Sequence, residues 1–229
     1  MSKGFSTMQD NVANFVQDTS AAMKTLIGVW INDAYHDAGR RFLWNSLINE
    51  DHTFETVVDQ AEYTLESDFG EEIIVFNIAD GRELTRFTVG QWWKRRGEAH
   101  TDDVIQSGDS VNYVILEETS KIKLDPPPDV AETIAMPYKA ITADLSGSTA
   151  PSITNIEAFL EAYATSMALA YKKQYAKADY FLSRSDLELR KLMDYERHSH
   201  NQRYQMIIEN FRLRSGKSRM LGENSYDSL

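Results

Sequence analysis

The sequence predicts an α+β protein: a helical bundle formed by N- and C-terminal helices, interrupted by a β-rich insertion and followed by an extended C-terminal arm. Three observations predict it. Apolar residues recur at three- and four-residue spacing near both ends of the 229-residue chain, the period of an amphipathic helix. From Thr53 to Ile122 the period drops to two, as in half-buried strands. Between them, Lys121-Ile-Lys-Leu-Asp-Pro-Pro-Pro-Asp129 breaks both kinds of element, because three prolines fix φ and remove three backbone donors. Asp125, preceding a proline, is pushed out of the helical region as well. The boundaries drawn from this are residues 1–50 for the N-terminal helices, 51–144 for the insertion, 145–200 for the C-terminal helices and 201–229 for the arm.

The first helical stretch runs from Asn11 to about Leu47. Leu26, Ile27, Trp30, Ile31, Ala34, Tyr35, Ala38 and Phe42 form its apolar stripe. Asp18-Thr-Ser20 supplies side chains suited to cap a new helix after a short first one. Gly28 weakens the pattern without ending it, since an interior glycine costs only about 1 kcal/mol. The aromatics Trp30, Tyr35, Phe42 and Trp44 read as core.

In the insertion, Phe54, Val57 and Val58 open the strand pattern and Tyr63-Thr-Leu65 continues it. Ile73–Ile78 reads as a nearly continuous strand, Asp80-Gly81 as a hairpin turn and Leu84–Val89 as the partner strand. Val111–Leu116 and Lys121–Leu124 form a second hairpin around Glu117-Glu-Thr-Ser120. The polar, glycine-flanked stretch from Gly97 to Asp109 reads as an exposed, mobile loop. Thr133–Tyr138 adds one more strand, although the proline elbow before it marks the end of the strand-rich region.

Leu145-Ser-Gly-Ser-Thr-Ala-Pro-Ser152 is a linker by composition. Helix returns at Thr154, with stripes at Ile156, Phe159, Leu160, Tyr163, Met167, Ala170 and Tyr171, then at Ala178, Phe181, Leu182, Ser185, Leu189, Leu192 and Met193. No Gly or Pro decides whether this is one helix or two. Beyond Tyr195 the pattern decays, and Ser215-Gly-Lys-Ser218 reads as disordered.

Composition narrows the function. There is no cysteine, which excludes disulfides, thiolate metal sites and a thiol nucleophile. No apolar run approaches the roughly 18 residues of a membrane span, and Met1-Ser-Lys-Gly-Phe-Ser lacks the apolar core of a secretory signal. A net charge of −11 argues against wrapping nucleic acid with the whole surface. The charge is uneven: Arg203, Arg212, Arg214, Lys217 and Arg219 face the single acid Glu209, a net +4, which leaves −15 for the rest. Such a segment is either a partner-binding arm or a solvated tail.

Catalytic patterns are scarce. Gly108-Asp-Ser110 reads as a turn rather than a nucleophile block. Gly216-Lys-Ser218 lacks the upstream glycines and strand of a phosphate loop. His198-Ser-His200 would point to different faces of a helix. Glu71-Glu72 and Glu117-Glu118 are strand neighbours that point apart. No catalytic residue, cofactor or metal is therefore expected. Trp92-Trp-Lys-Arg-Arg96 is the one sharp surface cluster. Its Trp92, Trp93, Arg95 and Arg96 suit a protein interface or base stacking. Alternatively the two Trp residues divide between core and rim while the cations are solvated. A nucleic-acid-binding module using this cluster and the basic arm thus remains an alternative function.

Four motifs, in this order, resemble the head-to-tail adaptor (connector) proteins of tailed bacteriophages. They are Val29-Trp-Ile-Asn-Asp-Ala-Tyr35 with Phe42-Leu-Trp44, Tyr63-Thr-Leu-Glu-Ser-Asp-Phe69, Leu124-Asp-Pro-Pro-Pro128 with Tyr138 beyond, and the helical pair Ile156–Met193. The resemblance covers roughly residues 25–195. It implies a non-enzymatic virion protein of the neck, assembled in the host bacterial cytoplasm as a ring of identical subunits, twelvefold in that family. It implies the portal protein and a tail or nozzle protein as partners, and genomic DNA passing through the lumen without sequence-specific binding. No membrane is involved. On this reading Arg203, Tyr204, Ile207, Ile208, Phe211, Arg212, Arg214, Lys217 and Arg219 form a portal-binding arm. Trp92, Trp93, Arg95 and Arg96 meet a neighbour or the tail.

Overall fold

The computed structural model describes residues 2–98 and 107–214, with the backbone alone at 96–98 and 198–214. Five helices and eleven short strands are arranged in the α+β manner expected. They are α1 (Phe5–Phe15), α2 (Ala21–Arg41), β1 (Ile48–Asn49), β2 (Thr53–Glu55), β3 (Glu62–Thr64), β4 (Phe69–Glu72), β5 (Phe76–Asn77), β6 (Arg82–Glu83), β7 (Thr85–Arg86), α3 (Val89–Glu98), β8 (Asn112–Leu116), β9 (Lys121–Asp125), β10 (Thr133–Ala135), β11 (Tyr138–Ala140), α4 (Glu157–Tyr171) and α5 (Tyr175–Arg214). The chain divides into two compact units: Met1–Ile48 with Lys139–Gln202, and Asn49–Tyr138 with Arg203–Leu229.

In the helical unit the stretch read from Asn11 to Leu47, with a new helix capped at Asp18-Thr-Ser20, is α1, α2 and a 3₁₀ turn. Phe5, Met8 and Val12 already carry the apolar period of α1 and are buried. Ser20 caps α2, its side chain accepting from Met23 N, and Asp18 in turn accepts from Ser20 N and Oγ. Those bonds, with Lys172 nearby, hold the Asp18 carboxyl below its ordinary range. Gly28 has a packing reason: a Cβ there would lie 2.5 Å from Gln9 Nε2 and 3.0 Å from Phe5 Cζ, so α1 crosses α2 on the bare backbone. The core gathers Met8, Ile27, Ile31, Tyr35, Trp44, Ile156, Leu160 and Leu169, with Ala164 and Ala168 letting α4 approach α2. Tyr35 and Trp44 are buried in it, while Trp30 and Phe42 pack against its edge.

Two helices, not one, close the unit. Lys172–Gln174 separates α4 from α5, and Lys173 adopts φ 59°, a left-handed residue that no Gly or Pro announces. The backbone of α5 then stays helical to Arg214, which corrects the expectation of an extended arm from residue 201. Ser215-Gly-Lys-Ser218, Lys217 and Arg219 lie outside the described residues.

The composition-based linker is a bound strap. Asn32 clamps Leu145 from both sides, Nδ2 donating to its carbonyl at 3.2 Å and Oδ1 accepting from its N–H at 2.9 Å. One turn on, His36 Nδ1 lies 2.7 Å from Thr142 Oγ1 and Nε2 lies 2.7 Å from Asp144 Oδ1. At Gly39 a Cβ would meet Thr142 Cγ2 at 2.7 Å. Ser152 N donates to Tyr35 Oη, Phe5 N to Thr149 O and Ser6 N to Gly147 O.

The second unit holds two four-stranded sheets, ordered β2-β10-β5-β6 and β3-β9-β8-β7. They share a core of Tyr63, Leu65, Val75, Leu84, Tyr113, Ile115, Ile122, Leu124, Ile134 and Met136. The β8–β9 hairpin forms as read, with Asn112 opposite Asp125 and Leu116 opposite Lys121, and Ser120 left-handed at its turn. Glu117 and Glu118 sit in that 3₁₀ turn rather than in a strand.

Three strand expectations are corrected. Ile73–Ile78 contributes only β5, although Ile73 N bonds Pro137 O and Ile78 N bonds Thr133 O on either side of it. Leu84–Val89 does not stay with it: Leu84 N reaches Val75 O, but Thr85 N and Phe87 N turn to Val111 O and Tyr113 O, making β7 parallel to β8. The proline elbow does not end the β region. It carries the chain from β9 in one sheet to β10, which lies between β2 and β5 in the other. The elbow's carbonyls are occupied: Pro126 O accepts from Ser110 Oγ, Pro127 O from Gly108 N and Pro128 O from Asp59 N.

Replacing Asn32 with Ala would strand both a strap N–H and a strap C=O. Asn32→Ala should lower stability by about 1–3 kcal/mol, measured by urea denaturation, whereas Asn32→Asp should retain half of the clamp and lose less.

Candidate functional site

The sharp surface cluster of the sequence lies on α3. A reciprocal cap starts this helix: Thr88 N donates to Gln91 Oε1 at 2.9 Å and Gln91 N to Thr88 Oγ1 at 3.2 Å. Thr-x-x-Gln is a capping-box pattern, the signal that would have started a helix at Val89, the last residue read as strand. The helix divides the tryptophans. Trp92 is 6% exposed and Trp93 is 61% exposed, the two rings meeting edge to face at 4.9 Å. Lys123 Nζ sits 4.9 Å from the Trp92 ring centroid while it donates to Glu62 Oε1 at 2.7 Å. Trp92 therefore fastens α3 to the outer face of β9, a cation–π contact added to burial. Arg95 Nε lies 3.4 Å from Asp125 Oδ2, and its guanidinium sits 5.7 Å from the Phe87 ring. Of the described side chains in the cluster, Trp93 is the large apolar one offered to solvent. The Arg96 side chain and residues 99–106 of the expected loop lie outside the described residues; Ser107 donates to Asp59 and Gly108 is bound to Pro127.

A second surface belongs to the helical unit. An open groove of about 300 Å³ is lined by Val12 and Phe15 of α1, Ala162 and Glu161 of α4, and Phe181 and Arg184 of α5. Phe15, 56% exposed, stands edge to face with Phe181 at 5.0 Å, and Tyr180 meets Phe181 in the same manner at 5.4 Å. Tyr171, Tyr175, Leu187 and Tyr195 are exposed as well. Glu161 is held by Lys3 and Asn11. This concentration of exposed aromatic surface is what interaction surfaces carry.

The catalytic candidates do not converge. Ser110 is buried and its hydroxyl is spent on Pro126 O. Glu72, its side chain 5% exposed, pairs with Arg86 at 2.8 Å and accepts from Tyr113 Oη at 3.2 Å. Burial and that carboxylate push the Tyr113 phenol well above its ordinary value, which makes it a fixed donor. Among the described residues no group of three His, Asp or Glu is placed to hold a metal ion, and no helix is long and apolar enough to cross a membrane. One carboxylate is also raised. Burial, with Asp80, Asp109 and Asp129 nearby, raises Glu132 above the usual carboxylate range although Asn77 Nδ2 donates to it at 2.5 Å.

Fold and surface together define a class: an α+β protein with a helical unit and a β unit that presents exposed aromatic side chains on rigid elements. Comparison with known families narrows the class. The family model described as SU10 adaptor protein matches residues 4–209. The chain belongs to that family, the tailed-phage head-to-tail adaptors. Membership makes it a structural protein of the virion, placed between head and tail. No curated protein matches it. The residues that carried the resemblance have structural duties here. Asn32 and Tyr35 hold the strap, Trp44 Nε1 donates to Ala38 O, and Tyr63 Oη donates to Gln60 O while accepting from Val57 N. Tyr138 Oη donates to Asp68 at 2.7 Å.

Trp92→Ala should cost about 3–5 kcal/mol in the β unit, whereas Trp93→Ala should leave thermal stability within about 0.5 kcal/mol; differential scanning calorimetry separates the two. Glu132 has its folded pKa above the unfolded one, so its contribution favours folding at low pH and is lost as pH rises through the folded value. Glu132→Gln should therefore raise the melting temperature at pH 7, and its advantage over the native protein should shrink as the pH is lowered.

Proposed function

We propose that this chain is the subunit of a ring that joins the portal to the tail and continues the DNA channel. The observation that carries the reading is the family match, which spans both units and runs into the distal half of α5. Identical subunits close the ring, twelvefold as in related connectors, through heterologous contacts between different patches of one surface. The exposed aromatics of the helical unit, Phe15, Tyr171, Tyr175 and Tyr180, suit those contacts. The segment from Arg203 docks on the portal, with Arg203, Tyr204, Ile207, Ile208, Phe211, Arg212, Arg214, Lys217 and Arg219 as its binding residues. Trp93, with Arg95 and Arg96, meets a neighbouring subunit or a tail or nozzle protein, and the buried Trp92 anchors the helix that carries them. A net charge of −11 keeps phosphate from adhering while the genome passes. Binding, not catalysis, is the work done, and assembly takes place in the host cytoplasm.

Asn45 Nδ2 donates to Glu196 at 2.7 Å, so a truncation that respects the fold ends at Gln202 rather than at Tyr195. The protein ending at Gln202 should fold with its native melting profile and fail to attach to portal-bearing heads. Electron microscopy of the full chain on such heads should show a coaxial twelvefold ring. Undiminished attachment of the truncated protein, or a lone subunit on the head, would overturn the reading.

A further inference from the structure

The connection between β2 and β3 is an apolar turn fixed from several sides. Val57 and Val58 are exposed on it, and Val130 is exposed in the segment bonded beside it. The Tyr63 phenol rises from the core to hold the turn: its Oη accepts from Val57 N at 3.0 Å and donates to Gln60 O at 2.6 Å. Thr56 N donates to Glu132 O at 2.8 Å and Thr56 Oγ1 accepts from Glu132 N at 2.8 Å, which ties the turn to the chain around Val130. Asp59 is left-handed at φ 64°, its N–H bonded to Pro128 O and its carboxylate to Ser107. A residue other than glycine stays in that region where its surroundings over-determine it, and such residues gather at binding surfaces. The turn is preformed, with its valines exposed, so docking through it costs little ordering.

Its charge is one-sided. Residues 51–60 contain Asp51, Glu55 and Asp59, residues 126–132 contain Asp129 and Glu132, and neither stretch has a Lys or Arg. Nucleic acid and anionic lipid match such a surface poorly. A protein surface offering apolar area among cations matches it well. This chain presents one on α3. Val89 and Trp93, four residues apart, share an exposed face. Gly90 falls three residues before Trp93, and nothing lies within 4 Å of where its Cβ would stand, so the helix is bare on that side of the ring. Lys94, Arg95 and Arg96 against Glu98 give α3 a net charge of +2, and Arg95 remains 54% exposed beside Asp125. The helix lies on the Lys123 face of the β3–β9 pair, whereas Tyr63, which holds the turn, points from the other face into the core. Two complementary patches on different sides of one unit make a heterologous contact, the kind that closes a ring. We infer that Val57, Val58 and Val130 of one subunit pack against Trp93 and the bare flank of α3 in the next. This rests on the ring reading given above and selects the neighbouring subunit, not the tail, as the partner of Trp93.

The native chain has no cysteine, so an engineered pair reports this contact alone. The experiment uses the full chain on tailless, portal-bearing heads under mild oxidation. Val58→Cys combined with Trp93→Cys in one chain should give a ladder of disulfide-linked subunits on denaturing gels. A mixture of the two single variants should stop at linked pairs. A disulfide needs Cα atoms within about 7 Å, so a ladder requires the turn of one subunit to lie on α3 of the next. Separately, Val58→Asp and Trp93→Ala, both at exposed positions, should each lower the fraction of heads carrying a ring at least about tenfold while the melting temperature holds. A link confined to one subunit, or no link on heads whose rings are visible by electron microscopy, overturns the pairing and leaves the ring reading standing. Heads that keep a ring of Trp93→Ala subunits but no longer accept tails assign this surface to a tail protein, which also overturns the pairing. If the native chain forms no ring on the heads, the ring reading has failed and the pairing falls with it.

Discussion

The helical unit is built from two pieces of chain that are ninety residues apart, and everything else depends on how the returning piece is fixed. Bringing distant segments together costs loop-closure entropy, and the contact that closes the loop must offset it. Here the closure is polar and local: Asn32, Tyr35 and His36, all on α2, bind Leu145, Ser152, Thr142 and Asp144 of the strap. Gly28 and Gly39 remove the side chains that would hold α1 and the strap away from α2. The apolar seam of α4 then meets Ile27 and Ile31 in register. Hydrophobic burial supplies most of the stability, but the clamp determines which residues of the strap lie over which turn of α2.

Much of the helical unit was legible in the sequence because its signals are local. The stripe of α2, the Asp18-Thr-Ser20 cap, and the stripes of α4 and α5 each depend on a period or a cap a few residues long. The β8–β9 hairpin was legible for the same reason. What escaped depends on long-range pairing. Residues 73–89 are strongly apolar, yet where they leave one sheet for the other is decided by Val111 and Tyr113, more than twenty residues away. The proline elbow shows the limit of a breaker as a signal: it marks a break in the chain but not what lies on its far side. Composition misled at Leu145–Ser152, since small polar residues serve a bound strap as well as a free linker.

The candidate surfaces were only partly legible. Period and composition single out Trp92 and Trp93 but cannot divide them, because the division comes from Lys123 on β9, held by Glu62 on β3. The exposed aromatics of α5 were readable as residues and not as surface. Tyr180 and Leu187 are recognised as outward only once Ala178, Ser185 and Leu189 are seen facing the core. A lone subunit with this much uncovered aromatic area would be prone to stick to itself.

The nesting of one unit inside the other also sets an order of events during synthesis. Helices α1 and α2 emerge first but cannot bury Ile27, Ile31 and Tyr35 until α4 has been made. The stretch Asn49–Tyr138 is contiguous and can close its core while the ribosome is still adding the rest. The nascent chain thus carries a finished β unit beside two waiting helices, whose uncovered apolar faces must survive the translation of more than a hundred residues. The strap, arriving just ahead of α4, is the first part of the returning chain able to shield them.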